Sequence, residues 1–318
     1  MAIILANDGI DESGRVLLEN AGHTVITDKI AQSDLAPQLK ERSISAVLVR
    51  SATQITRAEL SSWAGLKVIG RAGVGLDNID QVAAKELGIA VINTPAASSQ
   101  SVAELALAHI FTLARQLQQS NRKMPVSGTT EFSKLKKNFS DGWELQGKTI
   151  GIIGFGRIGQ ALAKMAIGLG MNVKMHDPFV PNCQLQIELS GIGPIKFELE
   201  SSSFEEVISN SHILSFHVPK PKGGAMIGAT EMNAMMDGVI LINASRGGVI
   251  DENALLAALA SGKVGGAGLD VFENEPTPMA ELLNHPRISV TPHIGASTAE
   301  AQERIGIELA EKVISVLG

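Results

Sequence analysis

Three residues placed just after apolar runs set the chemistry that this chain could do. Arg246 lies in Ala244-Ser245-Arg246-Gly247-Gly248, after the run Val239–Asn243. Glu275 lies in Phe272-Glu273-Asn274-Glu275-Pro276, after Ala267–Val271, and His293 lies in Pro292-His293-Ile294-Gly295, after Ile288–Thr291. An imidazole transfers protons near neutral pH. A neighbouring carboxylate fixes its tautomer and stabilises the imidazolium. A guanidinium grips a carboxylate through two bonds and polarises an adjacent carbonyl. Such a set suits oxidation of a 2-hydroxy acid or reduction of a 2-oxo acid, with His293 handling the proton and a nicotinamide the hydride. Plainer readings stand beside this one. Arg246 could cap a glycine turn. Glu273 competes with Glu275, and position alone does not choose between them. His293 could be a satisfied buried histidine. His217, after Ile213–Phe216, is a second histidine, although His217-Val218-Pro219 fits better beside a cofactor.

The stretch Thr149 to Asp177 supplies the dinucleotide site that hydride chemistry needs. It reads as a short buried strand, then Gly154-Phe-Gly156-Arg157-Ile158-Gly159, then a helix and a second strand ending at Asp177. Gly154 permits a tight turn, Gly156 lets a pyrophosphate approach the backbone, and Gly159 lets helix and strand pack closely. The free N–H groups of the helix start face the phosphates. Asp177 can accept bonds from the adenosine ribose diol and repels a 2′-phosphate, which favours NAD over NADP. G-x-G-x-x-G alone is a weak signal, and its strand, helix and acid context makes it a strong one. No pair or triplet of His, Cys or Asp has metal-ligand spacing, so no metal is expected.

The elements that must position these residues alternate strand and helix. Apolar runs fall at Ile3–Ala6, Thr24–Thr27, Ala46–Val49, Lys67–Gly70 and Ala90–Asn93, with helices expected over Glu12–Ala21, Ser33–Arg42 and Asn78–Leu87. A second series falls at Ile150–Ile153, Asn172–His176, Ile213–Phe216 and the three runs named above. Alternation of this kind predicts parallel sheets covered on both faces. Between the series, Val102, Leu105, Ala106, His109, Ile110, Leu113 and Leu117 share one face of a helix expected over Ser98–Arg122. Residues 123–147, with Lys134, Lys136 and Lys137, read as an excursion or lid outside the core. Gly295 to Leu317 reads as a closing helix. The expected architecture is α/β with two doubly wound parallel-sheet domains. One is a flavodoxin-like substrate domain from residues 1–97 and 296–318, and the other a Rossmann NAD-binding domain over 98–295. Ligands sit outside the carboxyl ends of such strands. There the first domain carries Arg50-Ser51-Ala52-Thr53 and Arg71-Ala72-Gly73-Val74-Gly75.

Composition suits a compact soluble protein rather than a disordered one. The 318 residues are 44% hydrophobic and 19% charged, with a net charge of −6 and no long basic block, which argues against nucleic acid as a partner. No apolar run approaches the ~20 residues that span a bilayer, so no membrane partner is expected. One cysteine, Cys183, excludes an intrachain disulfide. With no basic, apolar leader at Met1, the expected compartment is a reducing cytoplasm.

These motifs together resemble the D-isomer-specific 2-hydroxyacid dehydrogenases over nearly the whole length. The resemblance rests on Arg71-Ala-Gly-Val-Gly-Leu-Asp-Asn78, Gly154 to Gly159, Asn243-Ala-Ser-Arg-Gly-Gly-Val-Ile-Asp251, Gly268-Leu-Asp-Val-Phe-Glu-Asn-Glu-Pro276 and Pro292-His-Ile-Gly-Ala-Ser-Thr298. It implies Arg246, Glu275 and His293 as the catalytic set, so it prefers Glu275 to Glu273 and His293 to His217. It implies cofactor contacts from Val74, Arg157, Ile158, Asp177, Val218, Ala244, Ser245, Arg246, Asp270 (near the nicotinamide amide), His293, Gly295 and Ala296. It implies substrate contacts from Arg50, Ser51, Arg71, Ala72 and Gly73 as well as Arg246 and His293, and a homodimer built on the long central helix. Within the family the resemblance is greatest to the branch that oxidises D-3-phosphoglycerate at the entry to serine synthesis, where three arginines balance a carboxylate and a phosphate. Without a further C-terminal domain after Gly318, serine feedback is not expected. Glyoxylate or hydroxypyruvate reduction is the alternative activity, and a dinucleotide-sensing corepressor the alternative of another class.

Overall fold

Runs rich in Ile, Val and Leu make each strand of the first sheet, and all of them are parallel. In the computed structural model, which describes residues 1–318, the strands are β1 (Ile3–Ala6), β2 (Thr24–Ile26), β3 (Ile44–Val49), β4 (Val68–Arg71) and β5 (Ala90–Asn93), ordered β2-β1-β3-β4-β5. Between them run α1 (Glu12–Asn20), α2 (Gln32–Glu41), α3 (Arg57–Ser61) and α4 (Gln81–Glu86). Asp11 caps α1 by accepting from Ser13 N, and Thr56 and Glu59 form a capping box on α3. α4 starts later than the expected Asn78. The Asn78 side chain is spent on the carbonyls of Arg50 and Thr53, and Asp80 is the cap.

The helix expected over Ser98–Arg122 is two helices, α5 (Ser99–Ala114) and α6 (Leu117–Ser127). Gln116 between them is left-handed, with φ +50, which an α-helix cannot contain. The excursion expected over 123–147 also holds structure. α6 continues to Ser127, α7 spans Phe132–Asn138, and Leu135 and Leu145 are buried, Leu145 among the residues of the second unit's core. Its lysines stay on the surface.

The second sheet has six parallel strands. They are β6 (Thr149–Ile153), β7 (Asn172–His176), β10 (Ile213–Phe216), β11 (Val239–Asn243), β12 (Val264–Leu269) and β13 (Ile288–Val290), ordered β13-β12-β11-β10-β6-β7. Its helices are α8 (Arg157–Gly168), α9 (Phe204–Ser209), α10 (Ala229–Ala234), α11 (Glu252–Ser261) and α12 (Ala280–Asn284). An antiparallel hairpin, β8 (Asn182–Leu189) with β9 (Gly193–Glu200), follows β7 and is absent from the sequence expectation. α13 (Ala299–Leu317), capped by Thr298, closes the chain and packs on the first sheet. It crosses α1 where Gly14 faces Gly306, a contact too close for any side chain at Gly14.

The chain thus forms two compact units, residues 1–101 with 296–318 and residues 102–295. Each is a two-sided α/β sandwich with its own apolar core, as β-branched runs between helices require. No helix is long and apolar enough to cross a membrane.

Candidate active site

β6 leads directly into the glycine turn. Gly154 has φ +90, a backbone state that suits glycine. Gly156 is the N-cap of α8, lies exposed, and has open space where a side chain would stand. A Cβ at Gly159 would overlap the Gly154 carbonyl oxygen. No side chain caps α8, so its first N–H groups are left for an anion. Arg157 is exposed and Ile158 half-buried in the first turn. Asp177 directly follows β7 with both carboxylate oxygens anchored. Oδ2 accepts from Phe155 N at 2.7 Å, and Oδ1 accepts from Phe179 N at 2.8 Å. Each oxygen keeps further acceptor capacity for a ribose diol. The open cradle, uncapped helix and anchored acid fit a dinucleotide.

The loop after β11 is shaped by Asn243. Its Oδ1 accepts from Ser245 N at 3.1 Å and Ser245 Oγ at 2.8 Å, and its Nδ2 donates to the Arg246 carbonyl at 2.9 Å. Ala244 and Ser245 are buried and Arg246 half-buried, its Nη1 donating to the Ser245 carbonyl at 2.6 Å. After β12, Glu275 folds back on its own loop. Oε1 accepts from Phe272 N at 3.0 Å, and Oε2 lies 2.8 Å from His293 Nδ1. Burial pushes the Glu275 carboxyl up. The hydrogen bonds from His293 and Phe272, with the nearby charges of His293 and Arg246, outweigh burial and hold it below the ordinary carboxylate range. His293 stands in a left-handed conformation, φ +55, with its side chain 39% exposed, so its second nitrogen is open to a ligand.

The structure brings together Glu275 and His293, with Arg246 near enough to act on the Glu275 charge. It does not bring Glu273 to a histidine. Glu273 is exposed, and its N–H donates to Glu252 Oε1 at 2.7 Å. His217 is apart from the pair. Its Nε2 lies 2.9 Å from Ser215 Oγ, and its Nδ1 is buried without a partner. Val218 is half-buried and Pro219 exposed beside it. Asp270, 1% exposed, accepts from Ile294 N at 2.9 Å and Gly295 N at 2.8 Å. Ala296 accepts from Gln302 Nε2 through its carbonyl, at 2.8 Å.

In the first unit, Arg50 and Arg71 stand at the carboxyl ends of β3 and β4. Asp8 holds the loop after β3 through Arg50 N at 2.8 Å, Thr53 N at 3.1 Å and Thr53 Oγ1 at 2.8 Å. Ser51 is exposed and Arg50 half-buried. Arg71 Nη1 donates to the Ala72 carbonyl at 3.2 Å and fills the place of a side chain at Gly73, whose φ is +140. Val74 is exposed, and its carbonyl accepts from Asn93 Nδ2 at 2.7 Å. Sequence reasoning missed Asp8, Asn78, Glu252, Ser289 and Thr291, all of which act through the backbone or through other side chains. The only advance signal was polarity beside apolar runs.

A six-stranded parallel sheet, a glycine cradle after its β6 strand and an imidazole–carboxylate pair past its strand ends define a nicotinamide-dependent oxidoreductase. The chain belongs to the D-isomer specific 2-hydroxyacid dehydrogenases, whose NAD-binding domain model matches residues 107–295. It is 40% identical to a hydroxypyruvate reductase from Thermotoga maritima over 316 residues, covering 98% of this chain and 97% of that one. It is 39% identical to a D-3-phosphoglycerate dehydrogenase from Methanocaldococcus jannaschii over 318 residues, covering all of this chain and 58% of that one. Against D-3-phosphoglycerate dehydrogenases more widely, it spans about half of their length, 48% for a chloroplastic enzyme of Arabidopsis thaliana. The structure superposes on a glyoxylate reductase from Paecilomyes thermophila with TM-score 0.82 and 29% identity, covering 99% of this chain and 94% of that one. The cofactor is NAD.

Proposed function

We propose that this chain reduces a small 2-oxo acid of the hydroxypyruvate or glyoxylate kind to its D-2-hydroxy acid. The 2.8 Å contact of Glu275 with His293 Nδ1 carries the reading, because it leaves Nε2 as the nitrogen that gives up the proton. The match to a hydroxypyruvate reductase over nearly all of both chains supports the substrate. Bound NADH supplies the hydride. Arg246 grips the substrate carboxylate, His293 protonates the carbonyl oxygen, and Glu275 holds the imidazole and balances its charge. The remaining contacts are as the sequence implies: Gly154 to Gly159, Asp177 and Asp270 serve the cofactor, and Arg50 and Arg71 serve the anion. We assign the first unit to the substrate. Exposed Leu117, Met124, Val126 and Phe132 support a homodimer face.

Arg50 and Arg71 favour a second reading, D-3-phosphoglycerate oxidation, since they add positive charge beyond what a monocarboxylate needs. Steady-state assays with NADH and hydroxypyruvate, glyoxylate or phosphohydroxypyruvate separate the two. A higher kcat/KM for the unphosphorylated acids supports the first, and a clear preference for phosphohydroxypyruvate overturns it. Under the second reading, Arg50→Ala raises KM for the phosphorylated acid far more than for the others. Turnover with none of the three would overturn both.

A further inference from the structure

We propose that His109 is a positioning residue, holding the loop that carries His293 through Thr291 and Asp270. The inference rests on His293 being the proton donor. His109 lies on the buried face of α5 and is 2% exposed. Its Nδ1 is 2.8 Å from Ser289 Oγ, and its Nε2 is 3.1 Å from Thr291 Oγ1. Thr291 Oγ1 donates to Asp270 Oδ1 at 2.6 Å. Asp270 in turn accepts from Ile294 N and Gly295 N, the two amides that follow His293.

The proton count fixes the direction of this chain of hydrogen bonds. A threonine hydroxyl has one proton, and here it goes to the carboxylate. Oγ1 can then only accept from His109, so Nε2 carries a hydrogen. Burial depresses the His109 pKa, against the opposing charge of Asp270, so the ring is neutral and Nδ1 is bare. Nδ1 therefore accepts from the Ser289 hydroxyl. Every donor from Ser289 onward points toward Asp270.

The energetic need follows from burial. Asp270 is a buried carboxylate held by hydrogen bonds from Thr291, Ile294 and Gly295, and each lost donor is costly there. His293 also sits at φ +55, a conformation a non-glycine residue keeps only where its surroundings impose it. The two Asp270 bonds begin at the next residue. β12 has made room for the imidazole, since a side chain at Gly268 would stand 2.6 Å from the His109 Cβ.

The test uses His109→Phe, which removes both nodes at similar size, and His109→Gln, whose amide can still donate to Thr291. With NADH and the best 2-oxo acid, His109→Phe is expected to lower kcat about tenfold with the substrate KM changed less than about threefold. His109→Gln is expected to recover most of that loss. NADH binding, followed by fluorescence, stays within about threefold in both. In 15N-histidine-labelled protein without ligands, His109 is expected as the neutral Nε2–H tautomer. A folded His109→Phe with kcat within about twofold of the parent would overturn the proposal. So would an Nδ1–H tautomer, or His109→Gln behaving like His109→Phe. If His109→Phe does not fold, Thr291→Val and Thr291→Ser make the same comparison, with loss in the first and recovery in the second. A parent enzyme that turns over no 2-oxo acid would instead sink the functional reading, which the tautomer measurement does not touch.

Discussion

Gly247 lies so close to Phe272 that a side chain there would overlap the Phe272 carbonyl oxygen. The contact is backbone against backbone, so no rotamer change can relieve it. It ties the loop carrying Arg246 to the loop carrying Glu275, whose Oε1 accepts from Phe272 N. Gly247→Ala must separate the two loops. We expect a stability loss of about 1–3 kcal/mol, the range for overpacking, together with a fall in kcat/KM of at least about tenfold. Thermal denaturation and steady-state kinetics check both. Gly168→Ala, at the end of α8 with open space around it, is the control and should lose neither.

Glu275→Gln separates the charge of the carboxylate from its shape. The wild-type group is held below the ordinary carboxylate range, so its folded pKa lies under its unfolded one. Such a group stabilises the fold above the unfolded value, ~4.3, and that contribution disappears as pH falls through the lowered folded value. A neutral amide at this position would have no such dependence. The substitution also removes the negative charge beside the imidazolium. We expect kcat to fall by about 10²-fold or more and the alkaline limb of 2-oxo acid reduction to move to lower pH. An unchanged pH profile would mean that Glu275 orients His293 without acting on its charge.

His217 is predicted to leave the pH–rate profile alone and to shape acid stability instead. Burial depresses its imidazole to about 4. An unfolded histidine titrates near 6.5, so between about 6.5 and 4 the unfolded chain binds the extra proton. Stability from this group is therefore full above that window and falls as pH drops through it, by at most about 3 kcal/mol. Denaturant unfolding at pH 7 and pH 4.5 should show the fall, and His217→Asn should flatten it.

The strands were legible because each is a short apolar run bounded by polar or glycine residues. The three loops past their ends, with Arg246, Glu275 and His293, followed from that placement. The break at Gln116 was not legible, since Arg115-Gln116-Leu117 contains neither glycine nor proline, and tertiary packing overrides helical periodicity there. The β8–β9 hairpin was missed for a different reason. Its Gln184, Gln186 and Glu188 alternate with Leu185, Ile187 and Leu189, but only Leu185 is fully buried, so the signal is half a strand's worth. The His109–Ser289 contact joins positions 180 residues apart, which no local pattern encodes.

Asp177 offers a sharper test, because two jobs meet there. One, which we propose, is to meet the ribose diol and repel a 2′-phosphate and so to set NAD preference. The other is to anchor the glycine turn through Phe155 N. Asp177→Asn removes the charge while keeping one carbonyl acceptor. If charge decides, NADH binding weakens about tenfold, ~1.4 kcal/mol, while NADPH binding holds or improves, so the preference narrows by at least the NADH loss. If anchoring decides, both cofactors weaken together and the preference stays. Fluorescence titration of both cofactors against the parent and the variant distinguishes these outcomes. Equal weakening would reassign Asp177 from choosing the cofactor to holding the turn that receives it.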